Sequence, residues 1–187
     1  MLGIVIGVAS MVAMIAIGAG ARVQIEDQIR TLGANVLMVL PEADWGNGVQ
    51  EDSGAGPILT EADAALLGSQ APAVRAAAPS IRRTFQIISG NRNRRAVVNG
   101  TTPAYFVIRE WGVAAGRYFT GVETTAGEKV ALLGNTVAEH LFGSAQAALG
   151  ESIRILNARF IVVGVLSEKG ASGVGRDQDD VIFIPIT

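Results

Sequence analysis

The feature that most constrains this chain is an opening stretch without a charged side chain. Residues 1–21 hold only apolar residues, glycine and Ser10, and the first charge is Arg22. About 20 helical residues, rising 1.5 Å each, cross a hydrocarbon core about 30 Å thick. The stretch therefore predicts a transmembrane helix at 1–21, with the lipid bilayer as its partner.

The same stretch leaves open a cleavable secretory signal. Ala19-Gly20-Ala21 resembles a small-residue cleavage site. However, no Lys or Arg precedes the run, and it is longer than the apolar core of about 7–15 residues that such signals carry. We therefore favour a retained anchor over a cleaved signal.

Gly3 and Gly7 stand four residues apart in this stretch. Small residues at that spacing allow two membrane helices to approach closely. We predict that they pack against another helix, and the alternative is a chance pair in a glycine-rich run.

The remainder predicts strands interleaved with short helices. Residues 22–34 continue the first helix as a polar stalk, and Asn35–Leu40 predicts a strand. Thr60 marks the start of a further helix, because a hydroxyl before acidic residues caps a helix N-terminus. Two hairpins follow, at 81–99 and 153–165. Because helices and strands do not alternate regularly, we predict an α+β fold.

Composition excludes several classes of function. The net charge of −2 gives no overall basic character for binding nucleic acid, and the absence of Cys excludes disulfides and thiol chemistry. His140 is the only histidine, and no phosphate-cradling GxxxxGK[ST] loop is present. We therefore predict no enzyme activity, catalytic residue, cofactor or metal in this chain.

Five arginines mark the first hairpin as a candidate contact surface. They are Arg82, Arg83, Arg92, Arg94 and Arg95. They fit an anionic partner or lipid head groups, although charged strand ends are commonly just solvated, and that alternative is favoured.

Two loops carry further candidates. Trp45 lies in a glycine-containing loop over residues 42–57 and is a candidate partner contact, or else a ring folded back onto the domain. Asp177, Asp179 and Asp180 cluster in a second loop, but their spacing does not match a calcium loop, so we expect a solvated acidic turn.

An ordered series of short motifs carries a family resemblance. The motifs are Leu2-Gly3-Ile4-Val5-Ile6-Gly7-Val8-Ala9, Leu32-Gly33-Ala34-Asn35, Asn99-Gly100-Thr101-Thr102-Pro103, Gly116-Arg117-Tyr118-Phe119-Thr120, Val130-Ala131-Leu132-Leu133-Gly134, Val163-Gly164-Val165-Leu166, Lys169-Gly170 and Asp177-Gln178-Asp179-Asp180. Each motif is weak alone, but in this order they resemble the first membrane helix and periplasmic core domain of MacB-like ABC transporter permeases. The lipoprotein-releasing and FtsX-type permeases are relatives.

The resemblance implies a domain organisation. After the helix at 1–21 and the stalk at 22–34, it implies the first half of a porter-like mixed α/β subdomain at 35–88 and an inserted, mostly β subdomain at 89–187. Permeases of this type have four membrane helices, so it also implies a fragment, or a start placed inside the first helix.

The resemblance also implies a function and partners. It implies the permease component of an exporter in the bacterial inner membrane, whose periplasmic domain couples cytoplasmic ATP hydrolysis to movement of substrate or partner proteins. The partners implied are an ABC ATP-binding subunit or domain, a second permease copy and a periplasmic adaptor. The alternatives are a single-span anchored sensor or binding ectodomain and a secreted domain.

Overall fold

A computed structural model describes residues 2–32, 36–40, 59–172, 175 and 177–186. They fall into two compact units, one ending at Val36 and one beginning at Leu37. The first unit contains one continuous helix, α1 (Leu2–Leu32). The predicted continuation of the opening helix beyond residue 21 is therefore confirmed as far as Leu32, whereas its role as a stalk stays a prediction.

The described side chains of α1 are exposed. Ile6, Met11 and Ile17 are examples, at 58%, 67% and 74% exposure. Within the part of the chain that the structure describes, no helix combines the length and apolarity needed to cross a membrane. The transmembrane helix predicted at 1–21 is thus not confirmed.

The strand predicted at Asn35–Leu40 is wrong over its described part. Val36–Leu40 forms neither helix nor strand. Leu37 and Leu40 are 88% and 71% exposed. A strand needs a neighbouring strand to take up its backbone N–H and C=O groups, and no described strand pairs with this segment. The loop at 42–57, including Trp45, lies outside the described residues.

The second unit begins its regular structure with α2 (Glu61–Gln70), at the predicted position. The Thr60 hydroxyl accepts a 3.3 Å hydrogen bond from the Asp63 N–H, and the Thr60 N–H donates to the Asp63 carboxylate at 2.8 Å. These reciprocal bonds form a capping box, which satisfies two N–H groups that a helix start leaves free. The Thr60 N–H and hydroxyl both donate to the Asp63 carboxylate at 2.8 Å, and these two bonds lower the pKa of Asp63.

Seven strands of the described chain form one sheet. They are β1 (Ser80–Ser89), β2 (Arg92–Thr101), β3 (Val113–Gly116), β4 (Val130–Leu133), β5 (Ser152–Ile155), β6 (Ala158–Leu166) and β7 (Val181–Pro185). Four short helices connect them: α3 (Ala104–Ile108), α4 (Gly121–Ala126), α5 (Asn135–Phe142) and α6 (Ala145–Ala148). The predicted hairpins correspond to β1–β2 and β5–β6.

The sheet closes on itself. Its order is β3-β6-β4-β7-β2-β1-β5, and β5 also pairs with β6. One edge of β6 is shared, because Ala158–Ile161 pairs with β5 while Gly164 and Leu166 pair with β3. Six strands therefore form a ring, and β3 is added beside it. Because β1 pairs with β5 only at Ile87 and Ile88, the outer edge of β1 over residues 80–86 pairs with no described strand.

Two apolar clusters lie on opposite faces of this sheet. All four residues of β4 are buried. Ala131 and Leu133 belong to a cluster with residues of α5 and α6, whereas Val130 and Leu132 belong to an aromatic cluster. Successive strand side chains point to opposite faces, so β4 joins the two clusters and fixes the register of the sheet.

The predicted boundary between residues 88 and 89 falls inside β1. Ser80–Ser89 pairs with Arg92–Thr101 along its full length, so the boundary would separate two strands of one hairpin. In the structure, β1 belongs to the same closed sheet as β5. The porter-like assignment of residues 35–88 stays a prediction.

Candidate functional site

The arginines of the β1–β2 hairpin divide into those used by the fold and those left free. Arg92 Nη1 donates to the carbonyls of His140 and Leu141 at 3.4 and 3.2 Å, in the last turn of α5. A cation there satisfies carbonyls that the helix end leaves open. Arg94 Nε donates to Asp180 Oδ1 at 2.8 Å. Arg92 and Arg94 therefore stabilise the fold through their contacts with α5 and Asp180.

Arg82, Arg83 and Arg95 are exposed and make no hydrogen bond or ion pair with the described residues. Arg83 lies opposite Val98, on the face that carries buried Ile87. Arg82 and Arg95 lie on the other face of the hairpin. The five arginines predicted as one contact surface are thus spread over two faces, and their role as partner contacts stays a prediction.

Sequence reasoning missed two arginines that join this second face. Arg154 on β5 and Arg159 on β6 lie directly opposite each other. Arg154 also lies opposite Ile88 of β1, which places the pair on the face that carries Arg82 and Arg95. The signal was available only through strand pairing, because about 60 residues separate Arg95 from Arg154 along the chain.

The acidic loop before β7 is organised by a buried carboxylate. Asp179 is 1% exposed, and its carboxylate accepts hydrogen bonds from the N–H groups of Lys169 and Gly170 at 3.0 and 2.7 Å. The Asp177 carboxylate accepts the Asp179 N–H at 2.8 Å. The expected solvated turn is therefore wrong for Asp179, which closes the base of the loop. No group of acidic or histidine side chains suited to a metal occurs among the described residues.

An apolar groove of about 380 Å³ lies beside the end of α3. Phe106, Val107, Trp111 and Tyr118 line it together with Glu110. Trp111 Nε1 donates to the Ser167 carbonyl at 2.7 Å, and the Tyr118 hydroxyl donates to the Trp111 carbonyl at 2.5 Å. Burial raises the pKa of that tyrosine. The aromatic wall is thus fixed by hydrogen bonds as well as by packing.

Glu110 stands where a glycine is usual. The φ angle of Glu110 is +47°. The Trp111 N–H donates to the Phe106 carbonyl at 3.0 Å, and the Glu110 N–H donates to the Val107 carbonyl at 3.3 Å. This pair of bonds is the Schellman motif, which places a left-handed residue just after the helix. Trp111 and Phe106 supply the apolar contact that accompanies the motif.

Lys169 connects the acidic loop to this groove. Its Nζ donates to the Arg109 carbonyl at 2.7 Å and lies 5.0 Å from the Trp111 ring centroid. Burial, aided by the charge of Arg109, lowers the pKa of Lys169. The loop base held by Asp179 and the end of α3 are therefore joined through one side chain.

Gly3 and Gly7 lie on α1, where a Cβ at either position would meet nothing within 4 Å. Their packing role stays a prediction.

The fold of this chain is known from solved structures. It resembles the crystal structure of the periplasmic region of MacB from Actinobacillus actinomycetemcomitans, with a TM-score of 0.67 and 21% identity, over 84% of this chain and 67% of that one. The chain therefore has the fold of that periplasmic region.

The chain belongs to the MacB-like periplasmic core domain family, whose model matches residues 1–187. The "Macrolide export ATP-binding/permease protein MacB" of Syntrophobacter fumaroxidans is 40% identical over all of this chain and 26% of its own length. The protein of the same name from Rhodospirillum rubrum is 38% identical over all of this chain and 28% of its own length. The chain thus spans about a quarter of the length of these curated relatives.

Proposed function

We propose that this chain is the extracytoplasmic part of an ABC-type exporter permease, and that it passes ATP-driven movement on to cargo or to partner proteins. The observation that carries the proposal is the family match over the whole chain, supported by 40% identity to a macrolide export protein. ATP hydrolysis would belong to a separate ATP-binding subunit or domain. We propose macrolides, the compounds that the relative's name says it exports, as cargo.

The architecture of the described residues suits the transmission of force. The α1 helix runs for 31 residues, about 46 Å at 1.5 Å per residue, without a proline. Helices bend sharply mainly at proline, at certain glycine or serine pairs, or at irregular turns. Outside the Gly18–Gly20 stretch, where a bend would fall, such a helix can therefore carry a displacement along its axis with little loss.

The sheet offers a stiff body on which such a displacement can act. Its six strands form a closed ring, and both faces of the sheet carry apolar clusters. Close-packed interiors of this kind have low compressibility and transmit strain. We propose that the second unit moves as one body, and that its surfaces contact a second permease copy and a periplasmic adaptor.

Purification of the tagged chain from detergent-solubilised membranes of its own host tests the proposal. We expect an ABC ATP-binding polypeptide to co-purify in a fixed ratio, and the purified complex to hydrolyse ATP. The matched control is a tagged, unrelated membrane protein of the same host. Recovery of the chain without such a polypeptide would contradict the proposal and favour an anchored sensor or binding ectodomain.

A further inference from the structure

Positive charge is concentrated in one part of this chain. Residues 64–109 contain seven arginines and not one Asp or Glu, although the whole chain has a net charge of −2. Arg92 and Arg94 are used by the fold, and Arg109 lies 5.9 Å from the Tyr105 ring centroid. The exposed remainder includes Arg82 and Arg95.

The closed sheet brings Arg82 and Arg95 onto the same face as Arg154 and Arg159; we call these four the arginine face. Arg159 lies opposite Arg154, and Arg154 lies opposite Ile88 of β1. Two residues along β1 from Ile88, Gln86 lies opposite Arg95. All four arginines are exposed, and none has a carboxylate partner among the described residues.

The arginine face does not stabilise the fold. Like charges directly opposite on antiparallel strands destabilise the pair, and Arg154 and Arg159 are such a pair. Elsewhere the chain pairs its arginines, as with Arg117 Nη2, which lies 2.6 Å from Glu123 Oε1. A cross-strand carboxylate at residue 154 or 159 would have stabilised the hairpin, so the unpaired charges call for an explanation outside the fold.

We propose that the arginine face docks an acidic segment of a partner protein. Thr84, Gln86 and Asn93 are exposed between the arginines and offer hydrogen bonds to a polypeptide. The four arginines lie on four neighbouring strands, β2, β1, β5 and β6, which lie about 4.8 Å apart, so a segment that meets them in turn would cross the strands. A segment that crosses the strands would bind through its side chains rather than as an added strand.

An anionic bilayer is the less suitable occupant. Segments that lie on membranes combine basic residues with Trp, Phe or Leu that enter the lipid. The strand positions of the arginine face carry no aromatic residue, and Ile161 is its exposed large apolar side chain. This inference does not depend on the proposed exporter function.

The test measures binding of the full chain to a fluorescent peptide of about twelve residues in which Glu and Ser alternate. Binding is followed by fluorescence anisotropy at about 150 mM salt. We expect Arg154→Glu and Arg159→Glu each to weaken peptide binding about tenfold, because each replaces an attraction to a peptide carboxylate by a repulsion. Arg83→Glu is the matched control, because it removes the same charge from the other face of β1. It should leave the dissociation constant within about twofold.

A second readout separates docking from folding. We expect Arg154→Glu to raise the urea midpoint of unfolding while it weakens peptide binding, because it replaces a like-charge pair by an opposite-charge pair. Equal weakening by Arg83→Glu, or no binding of the peptide to the wild-type chain, would overturn the proposal. Preferential binding of the chain to phosphatidylglycerol vesicles over the peptide would assign the face to lipid and overturn it too.

Discussion

The Asp179 carboxylate is buried at the base of the loop before β7 and accepts the backbone N–H of Lys169 through both of its oxygens, each at 3.0 Å. It also accepts the Gly170 N–H at 2.7 Å. Lys169 in turn donates to the Arg109 carbonyl beside the aromatic groove. One buried charge therefore fixes both the loop and the end of α3.

We predict that Asp179→Ala lowers the free energy of unfolding by about 2–3 kcal/mol, because two part-buried N–H groups lose a carboxylate acceptor. Asp179→Asn should lose less, since the amide oxygen can still accept one of the bonds. Urea unfolding followed by circular dichroism measures both. Glu168→Gln, at an exposed neighbouring carboxylate, is the control. A loss equal to that of the control would show that the loop does not depend on Asp179.

Gly164 on β6 has no room for a side chain. A Cβ there would meet the Arg117 carbonyl oxygen and, at 2.7 Å, the Leu132 Cδ2 atom. We predict that Gly164→Ala costs about 2–3 kcal/mol of stability through overpacking and backbone displacement. Gly121→Ala is the matched control, because a Cβ at Gly121 meets nothing within 4 Å. Thermal unfolding that ranks the two variants equally would contradict the packing described here.

Glu123 gives the domain an acid-sensitive contact. The Arg117 guanidinium, with the Thr120 N–H and hydroxyl, lowers the pKa of Glu123 from 4.5 to about 2. Because the folded-state pKa is the lower one, this contribution to stability is complete above about pH 4.5 and is lost as the pH falls towards about 2. We predict that Glu123→Gln lowers the Tm at pH 7 and much less at pH 2.5, whereas Glu151→Gln changes neither.

Glu110 and Leu156 are the described non-glycine residues with positive φ, at +47° and +52°. Such conformations cost most residues about 1 kcal/mol or more relative to glycine. We predict that Glu110→Gly and Leu156→Gly each raise the free energy of unfolding by about 0.5–1 kcal/mol. Glu168→Gly, outside the left-handed region, should lower it by a similar amount. Destabilisation at Glu110 would mean that its side chain contributes to the fold.

Much of the fold could be predicted from local sequence. Thr60 before two acidic residues predicted α2, and extended runs rich in Ile and Val predicted the hairpins β1–β2 and β5–β6, because capping and strand propensity are local properties. The segment Val36–Leu40 has the composition of a strand, yet it forms none. Strand formation depends on a partner, which local composition does not reveal.

The candidate surfaces were harder to predict, since they depend on long-range pairing. The sequence predicted the arginine-rich hairpin but not the partners of its arginines. Arg92 binds the end of α5 about 50 residues further along the chain, and Arg94 binds Asp180 about 90 residues further along. Arg154 and Arg159 join Arg82 and Arg95 only because β5 pairs with β1. Asp179 looks like a solvated loop residue in the sequence and is buried in the structure.

The measurement that tests the central claim most directly is a distance between spin labels on the two units in the purified complex with its ATP-binding subunit. The chain has no cysteine, so Met11→Cys and Val122→Cys, both exposed, would carry the labels without competing thiols. Transmission of ATP-driven movement predicts a shift in the distance distribution between the nucleotide-free complex and one trapped with ATP. An identical distribution in both states, in a complex that hydrolyses ATP, would contradict it.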